Sequence, residues 1–438
     1  MDPRRRVLEA DVLVEQGRIV ALRPGSGERR RAAARPGPRV LDCRGLVVLP
    51  GLVQAHVHLC QTLFRGLADD LPLEAWLRRR VLPLEAAHTP DTVYWSAMLG
   101  GAELLLGGTT AILDMETVRH TEVAFTALEK IGLRATAGKC LMDAASVIPE
   151  LREPTDRALQ EAVDLCARWH GAAGGRLRYC FAPRFAPACS GPLLRAVSDQ
   201  AERAGAVIHT HAAETPLEME TVRRETGLPE LDYLDSIGIA GPRAALAHCV
   251  WVDRDGIDRL ARQGTNVVHC PSSNLKLGSG TAPVPEMLAA GCRVALGSDG
   301  AACNNRLDAF EEMRLAALVQ KPRLGPDALP AARVLELATL GGARAMGLAD
   351  EIGSIEPGKR ADLVVVDLSG PHAQPEGADL ASRLVYSARA ADVRHVVVEG
   401  RLVVDGGRLR SADLEEIRVK ANAAARRLRR RVEKRGSV

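Results

Sequence analysis

With 438 residues, 46% of them hydrophobic and 26% charged, the chain has the makeup of a globular protein and the length for a large barrel with an accessory domain. Its formal net charge of +3 is near neutral, and the only long basic block is the C-terminal RRLRRRVEKR, so a nucleic-acid partner has no support. No run of 18 apolar residues offers a membrane span.

The N-terminal MDPRRRVLEA is basic but lacks the apolar stretch of a signal peptide. The ten cysteines are scattered in apolar contexts without a C-x-x-C pair, which predicts buried thiols in a reducing cytoplasm. Residues 7–48 (VLEADVLVEQGRIVAL, then RVLDCRGLVVLP) are β-rich and punctuated by glycine. PGLVQAHVH, residues 50–58, then ends an apolar run with two histidines one residue apart. In a strand, His56 and His58 project from the same face.

Seven further strand candidates follow: 109–115, 134–143, 176–185, 206–214, 244–250, 265–274 and 293–300. Between them lie helical patterns such as SGPLLRAVSDQAERAG and VDRDGIDRLARQG, each closed by a glycine suited to a helix C-terminus. Eight strands alternating with helices predict an α/β fold, a (β/α)8 TIM-like barrel. An open doubly wound sheet is disfavoured because no G-x-G-x-x-G follows the first strand. Residues 360–408 are again β-rich. Neither flank can form a core alone, so both chain ends are expected to build one small β-sandwich. The resulting division is 1–48 with 357–409 as sandwich, 49–356 as barrel and 410–438 as a C-terminal helix with its arginines on the solvated face.

In such barrels the active site lies at the C-terminal ends of the strands. Strand 1 ends in His56 and His58, strand 5 in His211 with Glu214 three residues on. Strand 6 carries His248, strand 7 His269, and strand 8 ends in Asp299. Imidazoles and carboxylates from four or more strands converging on one mouth make a nitrogen/oxygen set suited to one divalent ion, Zn²⁺ first and Fe²⁺ second, with a position left open for water. His209 would sit one layer deeper as packing or as support for a ligand. His269 and Asn274 would shape the mouth, and His88, His120, His170, His372 and His395 are expected at the surface.

PGLVQAHVH, RGLADDLPLEAWL, HAAE, AHCV, HCPSSNLKLGSG, SDGAACNN and EIGSIEPGKRADLVVVD together resemble the amidohydrolase superfamily over nearly the whole chain. Within it they are similar to the branch of methylthioadenosine/S-adenosylhomocysteine deaminases, guanine deaminase and triazine hydrolases. The resemblance implies that His56, His58, His211 and Asp299 bind one metal, that Glu214 shuttles protons, and that His248 hydrogen-bonds the activated water. Binuclear relatives carry a carboxylated lysine at the end of strand 4. Here that end reads APRF, and Arg184 cannot form a carbamate, so a single metal is expected. The other zinc deaminase class needs P-C-x-x-C, which is absent. Relatives also begin with a further strand before VLEADVLVEQGRIVAL, so the sandwich is expected to lack an edge strand unless the start is misplaced.

The chemistry this set suggests is hydrolytic deamination of a small heterocycle. Water attacks an amino-bearing ring carbon, Asp299 takes its proton, Glu214 protonates a ring nitrogen, and ammonia leaves. By resemblance, Trp76 and Glu85 line the substrate cleft. The overall pattern favours adenosine-type nucleosides such as 5′-deoxyadenosine, methylthioadenosine or S-adenosylhomocysteine. Gln61, Lys139 and Arg184 match guanine deaminase instead, which makes an oxopurine the second reading. A triazine hydrolase is the third, and a non-catalytic assembly protein is disfavoured by the intact polar set. A homodimer or higher homo-oligomer is the expectation from resemblance.

Overall fold

The computed structural model of the chain describes residues 6–24, 39–377 and 379–435. It opens with an antiparallel hairpin, β1 (Ala10–Glu15) and β2 (Arg18–Pro24). Gln16 and Gly17 turn it with positive φ at both positions, the twist that suits a two-residue hairpin. β3 (Val47–Pro50) then passes through Gly51 into β4 (Leu52–His58). Only glycine fits at 51, since a Cβ there would lie 1.9 Å from the Thr110 hydroxyl.

The barrel continues through β5 (Thr109–Met115), β6 (Arg134–Gly138), β7 (Cys140–Leu141), β8 (Leu177–Pro183), β9 (Val207–Ala212), β10 (Ala244–His248), β11 (Asn266–His269), β12 (Arg293–Leu296) and β13 (Asp299–Gly300). All pairings are parallel, in the order β12-β11-β10-β9-β8-β6-β5-β4-β13, with β7 beside β8. β6 and β7 are halves of one strand interrupted at Lys139. β12 and β13 are likewise halves of the eighth strand, and Asp299 and Gly300 pair with Val57 and His58 on β4. The eighth strand thus returns to the first, closing the expected (β/α)8 barrel. β4 and β5 are buried at every position, as strands covered on both faces must be. The helix Arg254–Gln263 shows how the outer ring is made: Asp253 caps it, Ile257 and Leu260 face the barrel, and Gly264 ends it in the left-handed region.

One strand falls well short of the range its sequence suggests. The seventh ends at His269 rather than 274, because Pro271 has no N–H for a ladder and opens the helix Pro271–Lys276 instead. Ser273 and Asn274 are thereby placed on a helical turn at the barrel mouth.

The remaining strands, β14 (Leu363–Val366), β15 (Val393–Val398), β16 (Arg401–Asp405) and β17 (Arg408–Leu409), form an antiparallel sheet with β3 in the order β17-β16-β15-β14-β3. The β1–β2 hairpin hydrogen-bonds along residues 358–361, where Ile19 exchanges bonds of 2.8 and 2.7 Å with Lys359 and Gly358. Ile19, Ile355, Ala361 and Leu363 are buried between the two sheets. The C-terminal flank is not β throughout: Pro371–Ala373, Leu380–Ser382, Arg383–Ser387 and Ala390–Asp392 are short helical turns. Buried Arg134 on β6 grips Asp362 in a bidentate pair of 2.6 and 3.1 Å, joining barrel to sandwich.

The last helix, Leu414–Lys434, buries Ile417, Ala421, Ala424, Leu428 and Val432 and leaves Arg426, Arg429 and Arg430 in solvent. Residues 1–5, 25–38, 378 and 436–438 of the expected sandwich and helix lie outside the described residues. Among those described, no helix is long and apolar enough to cross a membrane.

Candidate metal and catalytic site

The imidazoles at the barrel mouth are fixed in one tautomer by what their outer nitrogens touch. His58 Nδ1 lies 2.8 Å from the Met115 carbonyl, and His211 Nδ1 faces the Arg184 carbonyl. A carbonyl only accepts, so both Nδ1 atoms carry the proton and both Nε2 atoms present lone pairs. His56 is set through a relay. His209 Nδ1 donates to the Ala245 carbonyl at 3.1 Å, so its Nε2 accepts from His56 Nδ1 at 2.7 Å. His56 Nε2 is therefore also a lone pair, buried and without a hydrogen-bond partner.

These three lone pairs converge. His58 and His211 Nε2 stand 3.2 Å apart, and Asp299 Oδ1 is 3.3 Å from Nε2 of both His56 and His58. Two lone pairs at that separation repel unless a cation lies between them. The ligand atoms of His56, His58 and Asp299 lie within 4.8 Å of one another, as do those of His56, His211 and His248. Burial lowers the imidazole pKa values, to about 4 for His58, so the rings stay neutral at pH 7. Asp299 is held well below the usual carboxylate range: burial opposes this, but His56, His58 and His248 outweigh it. Residues that are neutral, unprotonated at Nε2 and joined by one carboxylate fit a divalent ion.

Beside them stands a second pair. His248 Nδ1 donates to Asn274 Oδ1 at 2.9 Å, and its Nε2 lies 3.6 Å from Glu214 Oε2 and 3.9 Å from Asp299 Oδ2. Burial works against the His248 cation, yet Glu214 and Asp299 together raise its pKa. Glu214 is buried and pushed upward by desolvation, while the Ser279 hydroxyl donates to its Oε1 at 3.0 Å. Ala213, His248 and Asp299 adopt left-handed φ of 50°, 72° and 61°. Strain of this kind is of order 1–3 kcal/mol per residue and persists where surrounding structure enforces it.

The expected substrate residues divide. Glu85 accepts from both terminal nitrogens of Arg184, at 2.6 and 3.1 Å, and from Gln61 Nε2 at 3.0 Å. The three are buried together against the metal corner, and Gln61 Oε1 is left without a partner. Trp76 is buried, with its indole nitrogen 3.4 Å from the Ala302 carbonyl.

Lys139 is not in the cleft. Its ammonium is enclosed with Glu153 at 2.7 Å and Glu161 at 3.0 Å, because the break between β6 and β7 turns it outward beneath the helix Thr155–Trp169. His88 is a second correction: it is buried, not at the surface, with Nε2 donating to the Cys60 carbonyl, Nδ1 at Thr92 and its ring stacked on Phe64. His269 is buried at the mouth with neither nitrogen bonded.

Two supporting residues, Ser273 and Ser279, also emerge that charge and spacing did not single out, and Asn274, expected to shape the mouth, acts with them. The Ser273 hydroxyl donates to Asp299 Oδ2 at 2.6 Å, and Asn274 and Ser279 orient His248 and Glu214. All three lie in HCPSSNLKLGSG, so the signal was the clustering of hydroxyls and amides just after a strand end.

Comparison with known proteins gives a consistent picture. The model of the amidohydrolase family matches residues 47–403. A 5-methylthioadenosine/S-adenosylhomocysteine deaminase of Desulforudis audaxviator is 43% identical over 423 residues, covering 95% of this chain and 94% of its own. A 5′-deoxyadenosine deaminase of Methanosarcina acetivorans is 39% identical, covering 98% and 96%. Among solved structures, an adenosine deaminase from Xanthomonas campestris with bound zinc superposes with a TM-score of 0.88 at 34% identity, covering 96% of this chain and 94% of its own.

Proposed function

The chain belongs to the amidohydrolase family, and from that premise we propose that it is a metal-dependent hydrolytic deaminase that releases ammonia from an aminated purine, with adenosine-type nucleosides as its first substrates. The observation that carries this reading is the convergence of three tautomer-locked Nε2 lone pairs and the Asp299 carboxylate beside the Glu214–His248 pair. His56, His58, His211 and Asp299 would hold one zinc or iron ion, which when bound supplies a Lewis acid that makes water nucleophilic near neutral pH.

The chain's own residues do the rest. Asp299 keeps Oδ2 on the His248 side of the site, where it accepts a proton from the attacking water. His248, with Nδ1 committed to Asn274, directs Nε2 at the water's oxygen and holds it over the ring carbon. Glu214, whose burial favours the protonated acid, delivers a proton to a ring nitrogen so that the ring can accept the electron pair. Asp299 then passes its proton to the amino group, which departs as ammonia, while the new hydroxyl gives its proton back to Glu214 and becomes the oxo group of the product.

The ranking of substrates follows from the wall of the site and from the relatives. Arg184 and the Gln61 amide already donate to Glu85, so the groups that would read a purine oxo group are engaged within the protein. The adenosine-type relatives point the same way. One observation keeps guanine-type bases second: Gln61 Oε1 is buried and unpaired, and would accept from an oxopurine ring N–H. Ammonia release with kcat/KM for 5′-deoxyadenosine, methylthioadenosine, guanine and 8-oxoguanine tests both. Guanine preferred a hundredfold, about 2.7 kcal/mol in transition-state binding, reverses the order; no release from any of the four sinks the reading.

A further inference from the structure

We propose that Glu218 and Glu230 form a carboxylate clamp that positions Glu214 by gripping the backbone at the end of β9. The inference rests on the reading of Glu214 as the proton carrier. Glu230 Oε2 accepts the Ala213 N–H at 3.0 Å, and Glu218 Oε2 accepts the Glu214 N–H at 2.8 Å. The two acids come from different helices, Pro216–Thr226 and Glu230–Ser236, and both are buried. Between them sits Ala213, left-handed although it is not glycine.

The opposite side of the same peptide is held as well. The Ala213 carbonyl accepts from Val250 and Trp251, both at 2.9 Å, immediately after His248 and Cys249, which are themselves left-handed. One strained peptide therefore ties the strand end bearing Glu214 to the turn bearing His248. Without the clamp, two buried N–H groups lose their acceptors and Ala213 is free to relax toward the β region, which would swing the Glu214 side chain away from Ser279 and His248.

An ordinary helix cap does not account for this arrangement. Thr215 already caps the helix, accepting from Glu218 N at 3.3 Å, and a capping box would send the Glu218 carboxyl back to the N–H of Thr215 itself. It reaches one residue further, to Glu214, and Glu230 belongs to no cap of that helix. Burial, with the neighbouring Glu214 carboxyl, pushes Glu218 up to about 7, and burial with the neighbouring Glu218 raises Glu230 as well.

The test compares Glu218→Leu, which removes the acceptor, with Glu218→Gln, which keeps it, in metal-loaded full-length protein. Glu218→Leu should lower kcat about 10- to 100-fold, with KM within about threefold, metal content unchanged and a larger solvent isotope effect on kcat. Glu218→Gln should stay within about threefold of wild type, and Glu230→Gln should behave alike. Amide exchange at residues 213–214 should accelerate in Glu218→Leu alone, a readout that needs no substrate. Wild-type kcat in Glu218→Leu, equal losses in the Leu and Gln variants, or unchanged exchange would overturn the clamp. A wild-type protein that releases no ammonia would sink the deaminase reading, while faster exchange in Glu218→Leu would still support the clamp.

Discussion

Two sides of the barrel mouth hold similar inventories of polar residues and present opposite chemistry. On one side, the His56, His58 and His211 rings have their outer nitrogens committed and their inner lone pairs open, so the side lacks a positive charge. On the other, Arg184, Glu85 and Gln61 satisfy one another almost completely. A buried polar atom without a partner marks where a ligand completes the structure, whereas a charge that has its counter-ion is part of the wall. By this measure the first side is open to a cation, and the second holds a shape except at Gln61 Oε1.

Breaking the open side should have the largest effect. His211→Ala is expected to abolish turnover and tight metal binding together, since a tetradentate site that loses one imidazole loses its geometry. A full equivalent of metal with normal turnover in that variant would remove His211 from the proposed ligands. Next, Glu214→Gln should keep the metal but lower kcat by about 10²-fold or more, because an amide cannot carry the proton. Joint loss of metal and activity would instead place Glu214 among the ligands.

Breaking the compensated side should show up as stability. Glu85→Gln leaves the Arg184 guanidinium buried without its carboxylate and should destabilise the fold by about 3–5 kcal/mol in denaturant unfolding. A change below 1 kcal/mol would mean that the pair is not buried in solution.

His88 sharpens the comparison, since both its nitrogens are satisfied and it is no ligand. Its folded pKa of about 4 lies below the ordinary 6.5, chiefly through burial, so the unfolded chain binds the extra proton first. Its share of stability, about 3 kcal/mol, is complete above pH 6.5 and is lost as the pH falls toward 4. His88→Gln should flatten that part of the curve of unfolding free energy against pH, and an unaltered slope would contradict the burial. The smallest effect is expected at Lys139: with its ammonium enclosed by Glu153 and Glu161, Lys139→Met should leave relative kcat/KM among purines unchanged. A shift in that ranking would return Lys139 to the cleft.

The barrel was legible because its strands are buried on both faces and read as unbroken apolar runs such as TTAILDM. The convergence of His56, His58, His211 and Asp299 was legible because strand periodicity puts His56 and His58 on one face and the barrel aligns the ends of strands 1, 5, 6 and 8. Lys139 misled because periodicity across 134–143 does not reveal the break between β6 and β7 that turns it outward. His88 misled because its partners, Cys60 and Thr92, approach from the turn after strand 1 and from the helix Pro90–Leu106 that follows it, contacts that no spacing announces. Glu218 and Glu230 were invisible for a related reason: an acid that binds a backbone N–H looks in sequence like any helix-surface glutamate.

The most direct test is metal analysis of the purified protein. The contrast between the open side and the compensated side predicts one divalent ion per chain, because strand 4 offers Arg184 paired to Glu85 where a second ion would need a ligand. Two equivalents, or none in protein that still turns over a purine, would contradict it.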